Sequence, residues 1–391
     1  MLNRDIVVLA AGQALTSTVV SLLTSVSSLS GAYLAPSASL STLPVTATVM
    51  GTLLMIYPAS SLMARMGRRG GFMFKAGVGV IGGAVCAVAL VIASFPALLV
   101  GAFLLGIFSA FGQYYRFAAI DAARSAKDRT SAVAVVTAGG VVGGFAGPFI
   151  GGNFAEAISA PYAGAFAALS LVCVCLAASQ MLLSADLGRA TGASAVGAAA
   201  VNFTPNAGFF TASAICAVGF AVMTLTMNAA PLSMKMCGFS LPASSTVLQV
   251  HFVLMYLPSL ILPAMTSTLG LRGLVLLGVA ASAAGCLLTL LPDQTLGVYM
   301  LELGLSGLGW NFIFNGGTLL LADTYPTAGK ARAQGLNSLF VYCANLAASF
   351  GAGALFASYD WAVVNLVSLP LLAIAVVAVV VRPKAPFLPP S

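Results

Sequence analysis

Runs of about twenty apolar residues recur along this chain at intervals of roughly thirty, and no other feature limits its fold so strongly. A hydrocarbon core about 30 Å thick is crossed by a helix of roughly 20 apolar residues, which satisfies every backbone N–H and C=O within the segment. Twelve such runs are read here, near 6–28, 43–64, 72–94, 97–119, 132–154, 162–184, 208–231, 244–266, 272–292, 296–320, 334–356 and 360–381. Only 6% of the residues are charged, against about 25% in soluble domains, and no polar stretch is long enough to enclose a core of its own. The expectation is an all-α integral membrane protein with twelve transmembrane helices. The first run lacks a small-residue cleavage site, so it is read as the first span and not as a secretory signal.

Basic residues set the orientation, because Lys and Arg gather in cytoplasmic loops. With both termini cytoplasmic, Arg4, Arg65, Arg68, Arg69, Lys75, Arg116, Arg124, Lys127, Arg129, Arg189, Arg272, Lys330, Arg332, Arg382 and Lys384 all fall on the inner face. Only Lys235 falls outside. Topology thus accounts for the net charge of +7, and a nucleic-acid partner has no support. The partner it does imply is the lipid bilayer, with the protein as a multi-pass monomer of a bacterial inner (cytoplasmic) membrane.

The chain also reads as two copies of one unit. "GRRG" (67–70) stands between spans 2 and 3, and "GLRG" (270–273) stands between spans 8 and 9, 203 residues later. The organisation is then a six-helix bundle over 1–186, a cytoplasmic linker over 187–207, and a second six-helix bundle over 208–391.

The stretch "SSLMARMGRRG" (60–70) resembles the signature between helices 2 and 3 of the major facilitator superfamily of secondary transporters. Arg65, Gly67, Arg68 and Arg69 fit that signature, while Ser60 and Ala64 stand where the family has Gly and Asp. The resemblance implies a loop that pins helix ends in one state of a moving transporter. In span 5, "GGFAGPFIGG" (143–152) is similar to the Gly-Pro signature of many proton-coupled exporters. Its physical reading is packing: Gly143, Gly147 and Gly151 recur every four residues, with Gly152 beside them, and let another helix approach closely. Pro148 is tolerated there because neighbouring helices satisfy the freed carbonyl.

The most specific pattern is "MTLTM" (223–227) followed by "HFVLM" (251–255), which contains the only histidine of the chain. Met223 and Met227 lie four apart, as do His251 and Met255, so each pair shares one helix face. In an antiparallel hairpin, residues at equal depth have a constant index sum, and Met227 with His251 gives the same sum as Met223 with Met255. At 1.5 Å per residue, the first pair is expected roughly 10 Å below the outer helix ends and the second about 6 Å deeper. That is the depth at which secondary transporters hold substrate. Thioethers and imidazole are soft, uncharged ligands, which favours copper in its cuprous form and disfavours Mg, Ca or Mn. Copper is therefore the expected transported substrate, not a cofactor, and Met234, Met236 and Cys237 in "MKMC" would form its entrance.

The pairing of MxxxM in helix 7 with HxxxM in helix 8 also resembles the CcoA-type copper importers, a facilitator subgroup that supplies copper for haem-copper cytochrome oxidase assembly. That resemblance implies Met223, Met227, His251 and Met255 as metal ligands, with cytoplasmic copper chaperones as recipients. Of the remaining cysteines, Cys216 and Cys343 are candidates for an inward relay, and seven cysteines with a single external thiol leave no external disulfide framework. Glu302, Trp310 and Asn311 in span 10 are candidates for coupling or for lining the cavity. Asp121 is expected to form an ion pair with Arg116. Two rival readings stay open: an exporter of drugs or organic solutes, with an apolar aromatic cavity, and a copper receptor that binds without transport. No nucleophile, base and acid constellation suggests an enzyme.

Overall fold

The computed structural model describes residues 3–123, 126–185, 187, 204–326 and 329–381. Arg124, Arg189, Arg382, Lys384 and most of the expected linker lie outside these residues, as do the side chains of Ser60, Ala64, Lys127, Arg129 and Lys330. The described residues fold into twelve long helices: α1 (Arg4–Leu34), α2 (43–66), α3 (68–91), α4 (Phe95–Ala122), α5 (Ala126–Phe154) and α6 (Ala163–Gln180) in the first half. The second half contributes α7 (Ala207–Met236), α8 (Leu241–Tyr256), α9 (271–288), α10 (Leu296–Ala322), α11 (Lys330–Ser358) and α12 (Trp361–Val381).

Among the described residues, eleven helical segments are by themselves long and apolar enough to cross a membrane. The twelfth helix, α10, has 27 residues, but Glu302, Asn311 and Asn315 dilute its apolar character. A helix of that length placed at the centre of a bundle need not be apolar all round, because its polar groups find partners on other helices.

The expected repeat is visible in the backbone. Gly67 breaks the path from α2 to α3 at φ 75°, ψ 172°, and Gly270 breaks the path into α9 at φ 65°, ψ 170°. Both lie where an L side chain would be strained and glycine is not. Near-identical conformations 203 residues apart mark equivalent turns of two copies of one unit.

Helices α1 to α6 pack as one bundle, through α1 on α5 and α6, α2 and α3 on α4, and α3 on α6; α7 to α12 form the other, through α7 on α10, α11 and α12, α8 on α10, and α9 on α10 and α12. The two halves meet through α5 against α8, α2 against α11, and α1 against α7. On the face opposite the chain ends they are joined by hydrogen bonds. Thr42 Oγ1 donates to Ser349 O at 2.8 Å, Thr46 and Ser349 hydroxyls lie 3.1 Å apart, and Gly353 N–H donates to Thr42 Oγ1 at 3.1 Å. Lys235 Nζ reaches Tyr162 Oη at 3.3 Å beside a cavity of about 190 Å³ between the halves. This face is closed in the conformation described.

The sequence placed Lys75 at the cytoplasmic face; the structure corrects this. Eight residues beyond Gly67, Lys75 already lies inside the first bundle and is fully buried. Counting basic residues near helix ends does not register which way a long side chain turns.

Candidate functional site

Helix α10 occupies the place that the index-sum argument reserved for direct contact between α7 and α8. Those two helices pack far less against each other than either does against α10. Along its length α10 bonds alternately to both. Tyr299 Oη meets Ser233 Oγ of α7 at 2.6 Å, and Ser306 Oγ meets Thr226 Oγ1 of α7 at 3.1 Å. On the other side, Asn311 Nδ2 donates to Met255 O of α8 at 2.7 Å. A Cβ on Gly307 would stand 2.6 Å from His251 O, so only glycine allows α10 to come this close to α8. The expected side-by-side register of Met227 with His251 and Met223 with Met255 is thus corrected: consecutive helices need not be packed neighbours when a third fits between them.

His251 is fully buried, and its Nδ1 lies 2.7 Å from Leu303 O of α10. A carbonyl can only accept, so in the neutral ring Nδ1 carries the proton and Nε2 keeps its lone pair. Nε2 is buried with no hydrogen-bond partner among the described residues. Leaving such an atom unpaired costs about 1–3 kcal/mol. The same arrangement, one nitrogen tied to a carbonyl and the other free, orients imidazole for metal ligation.

Methionines of α7 and α8 share one apolar cluster. Met227, Met234 and Met255 are buried in one apolar cluster with Phe252, Leu303, Trp310 and Trp361, and half-buried Met223 packs against it. The His251 ring meets that of Phe252 edge-on at 5.6 Å. Among the described residues no three His, Cys, Asp or Glu gather as a metal site. A metal held here would rest on one imidazole with thioethers.

The entrance trio does not stay together: Met234 points into the cluster, Met236 is 79% exposed, and Cys237 is exposed with Sγ 3.6 Å from Tyr299 Oη. Cys237 borders a shallow depression of about 770 Å³ shared with Phe239, Asp293 and Gln294. Cys216 is buried with Sγ 3.9 Å from Phe314 O and from Thr318 Oγ1, whereas Cys343 is exposed on α11.

On α10, Glu302 Oε2 accepts from Trp361 Nε1 at 3.1 Å, and its Oε1 is buried without a partner. Trp310 stacks on Phe314 at 5.0 Å, and Phe220 of α7 meets both rings edge-on at 5.2 and 4.9 Å. Sequence reasoning missed Phe220 and Phe314. The four-residue spacing of Trp310 and Phe314 was the signal that could have found one of them. Asn311 also donates to Ser259 Oγ at 2.7 Å, fixing the α8 end.

In the first bundle, Asp121 pairs with Arg68, whose Nε lies 2.9 Å from Asp121 Oδ2. The expected partner Arg116 bonds instead to Gln113 Oε1 at 3.4 Å. Asp121 sits at the end of α4 that faces the turn at Gly67, so Arg68 is nearer than a residue one turn along its own helix. Arg68 N–H also reaches Leu187 O at 3.2 Å, while Arg65 is exposed and Arg69 half-buried. The glycines of α5 lie against α1. A Cβ on Gly143 would be 2.5 Å from Ala14 O, and one on Gly147 would be 2.5 Å from Leu22 N and Thr18 O. Gly151 abuts Ser25 of α1, and Gly152 faces Ser245 of α8. Pro148 is buried within the unbroken helix.

Two bundles of six long, mostly apolar helices with buried polar groups on the helices between them are the architecture of a secondary transporter. The chain belongs to the Major Facilitator Superfamily, which its residues 9–316 match. It is 29% identical over 394 residues to the riboflavin transporter RfnT of Brucella anthropi, covering 98% of this chain and 96% of that one. It is 28% identical over 334 residues to an MFS-type transporter of Bacillus subtilis, YdeG, covering 81% of this chain and 77% of that one. Among solved structures, a D-xylose–proton symporter superposes with a TM-score of 0.74 at 14% identity over 98% of this chain and 97% of its own.

Proposed function

We propose that this transporter imports copper, held as a soft cation by His251 Nε2 with thioethers from Met223, Met227 and Met255. The observation that carries this reading is the buried, unpartnered Nε2 of a ring whose other nitrogen is anchored to Leu303 O. In hydrocarbon surroundings neutral ligands avoid the cost of burying carboxylates or thiolates when the site is empty. The metal would enter past Met236 and Cys237, load while the face opposite the chain ends is open, and leave toward the cytoplasm when the seal at Thr42, Thr46 and Ser349 has formed. Cys216 and Cys343 are proposed as relay thiols, Glu302 as a buried acid near the path, and cytoplasmic copper chaperones as recipients serving cytochrome oxidase assembly. The chain is placed as a monomer in a bacterial inner membrane, with both termini inside.

A second reading has its own support: the relative matched over nearly its whole length carries riboflavin, and Phe220, Trp310 and Phe314 form an aromatic group of the kind a planar solute stacks on. One experiment separates the two. Liposomes containing the purified protein are offered radiolabelled Cu(I) or riboflavin, with His251→Ala and Phe220→Ala alongside. The copper reading expects copper entry that His251→Ala abolishes and Phe220→Ala spares. Riboflavin entry lost in Phe220→Ala, with no copper entry, gives the site to a flavin, and copper bound but not moved makes the protein a receptor.

A further inference from the structure

A second buried ionisable group stands in the first bundle, outside everything assigned above. Lys75 of α3 is fully buried. Its Nζ donates to Thr16 Oγ1 of α1 at 2.6 Å and lies 4.5 Å from the ring centre of Phe108 and 4.6 Å from that of Tyr115, both on α4. Among the described residues no carboxylate pairs with it. The titratable groups facing it are Tyr115 from α4 and Cys173 from α6; Thr16 from α1 and Phe108 from α4 do not titrate. Next to Gly12 of α1, two further polar atoms are buried without a hydrogen bond, Oη of the same Tyr115 and Oε1 of Gln180.

An ammonium has three protons to place, and one hydroxyl and two ring faces receive them. A neutral amine also finds a partner here, because the Thr16 hydroxyl can turn and donate to its lone pair. The cage therefore accommodates both states but not with the same grip. Attraction to the faces of Phe108 and Tyr115 exists only for the cation, so protonation draws α4 toward α1 and α3, and proton release loosens them. Because α1 also packs on α7 of the other half, that change reaches the surface on which the halves move.

We infer that Lys75 is a proton-binding site of the transport cycle, its charge setting how tightly α4 packs on α1 and α3. The step is a proton passing from water to the amine lone pair and back, and it consumes nothing else. The inference rests on the chain being a secondary transporter and not on which cargo it carries.

The test compares the full-length protein with Lys75→Met and Lys75→Arg in liposomes, where neither replacement can change charge near neutral pH. Hydrogen exchange is measured without cargo at about pH 6 and pH 8 and corrected for intrinsic rates. The unaltered protein is expected to change protection in α1 and α4 several-fold between the two, and both variants are expected to show none. No pH-dependent change in the unaltered protein, or a variant that keeps it, overturns the inference; if Lys75→Met does not fold, Lys75→Arg decides. In parallel, Cu(I) and riboflavin are each driven by a pH gradient of one unit. Coupling to one proton gives about tenfold accumulation per unit, which both variants should lose while exchange of labelled for unlabelled cargo at equal pH persists. Accumulation that survives in the variants also overturns it. If neither probe enters the unaltered protein, the cargo assignment fails and hydrogen exchange still decides the role of Lys75.

Discussion

Gly147→Ala and Gly77→Ala add the same methyl group to two membrane helices and are expected to act in opposite directions. At Gly147 the new carbon would stand 2.5 Å from Leu22 N and Thr18 O, both backbone atoms of α1 that cannot turn aside. Relief to ordinary contact needs α1 and α5 to separate by about 1 Å, and overpacking of that kind costs about 1–3 kcal/mol. The separation also stretches the hydrogen bond from Ser21 Oγ to Gly143 O, now 2.7 Å. At Gly77, on the exposed side of α3, nothing lies within 4 Å of the added carbon. There alanine restricts the unfolded chain and stabilises by about 0.4–1 kcal/mol. Thermal unfolding in detergent should therefore place Gly147→Ala below the unaltered protein and Gly77→Ala level with it or above, the two differing by roughly 1–4 kcal/mol. If Gly147→Ala is as stable as Gly77→Ala, the close approach of α1 and α5 is wrong, and the span-5 glycines need another explanation.

Other outcomes follow from the same structure. In a double-mutant cycle, Arg68→Ala and Asp121→Asn should each lower thermal stability, with the double variant no worse than the poorer single one; additive losses would mean the pair contributes nothing jointly. Thr42→Val removes two bonds across the closed face, to Ser349 O and from Gly353 N. At about 1 kcal/mol per bond, about 2 kcal/mol for the pair, it should favour the open state by roughly 30-fold, seen as a longer distance between spin labels on the adjoining ends of α2 and α11, whereas an unchanged distance distribution would deny the seal a role. A membrane-impermeant maleimide applied to intact cells should label Cys237; labelling only after permeabilisation would reverse the proposed orientation. Gly307→Val should disrupt the approach of α10 to His251 O, now too close for any side chain, and lower stability by about 1–3 kcal/mol, measured in the same unfolding assay.

Much of the architecture was legible in the sequence because a membrane imposes a length and a composition on each helix. The spans appeared as apolar runs, and the matched GRRG and GLRG turns appeared too, their first glycines sharing one left-handed conformation that an L side chain would find strained. Helix α10 was found despite Glu302 and two asparagines, since its length survived its polarity. What hydropathy could not reveal was which helices touch. His251 was singled out as the lone imidazole, but its anchor is a carbonyl of α10, and a main-chain acceptor leaves no mark in a sequence. The register of α7 with α8 failed because adjacency along the chain was taken for adjacency in space. Lys75 failed for a related reason: its distance from the helix end was read, but the direction of its side chain into an aromatic cage was not. Asp121 was recognised as one half of an ion pair, yet its partner came from the Gly67 turn, 53 residues away in sequence.

The central claim is that His251 Nε2 and nearby thioethers form a soft-cation site. Its most direct test is X-ray absorption at the copper edge on the purified full-length protein loaded with one equivalent of Cu(I). The account predicts stoichiometric copper whose shell contains thioether sulfur together with imidazole nitrogen, the nitrogen signal vanishing in His251→Ala. Copper that washes out, or a shell of light atoms without sulfur that is unchanged in His251→Ala, would contradict it.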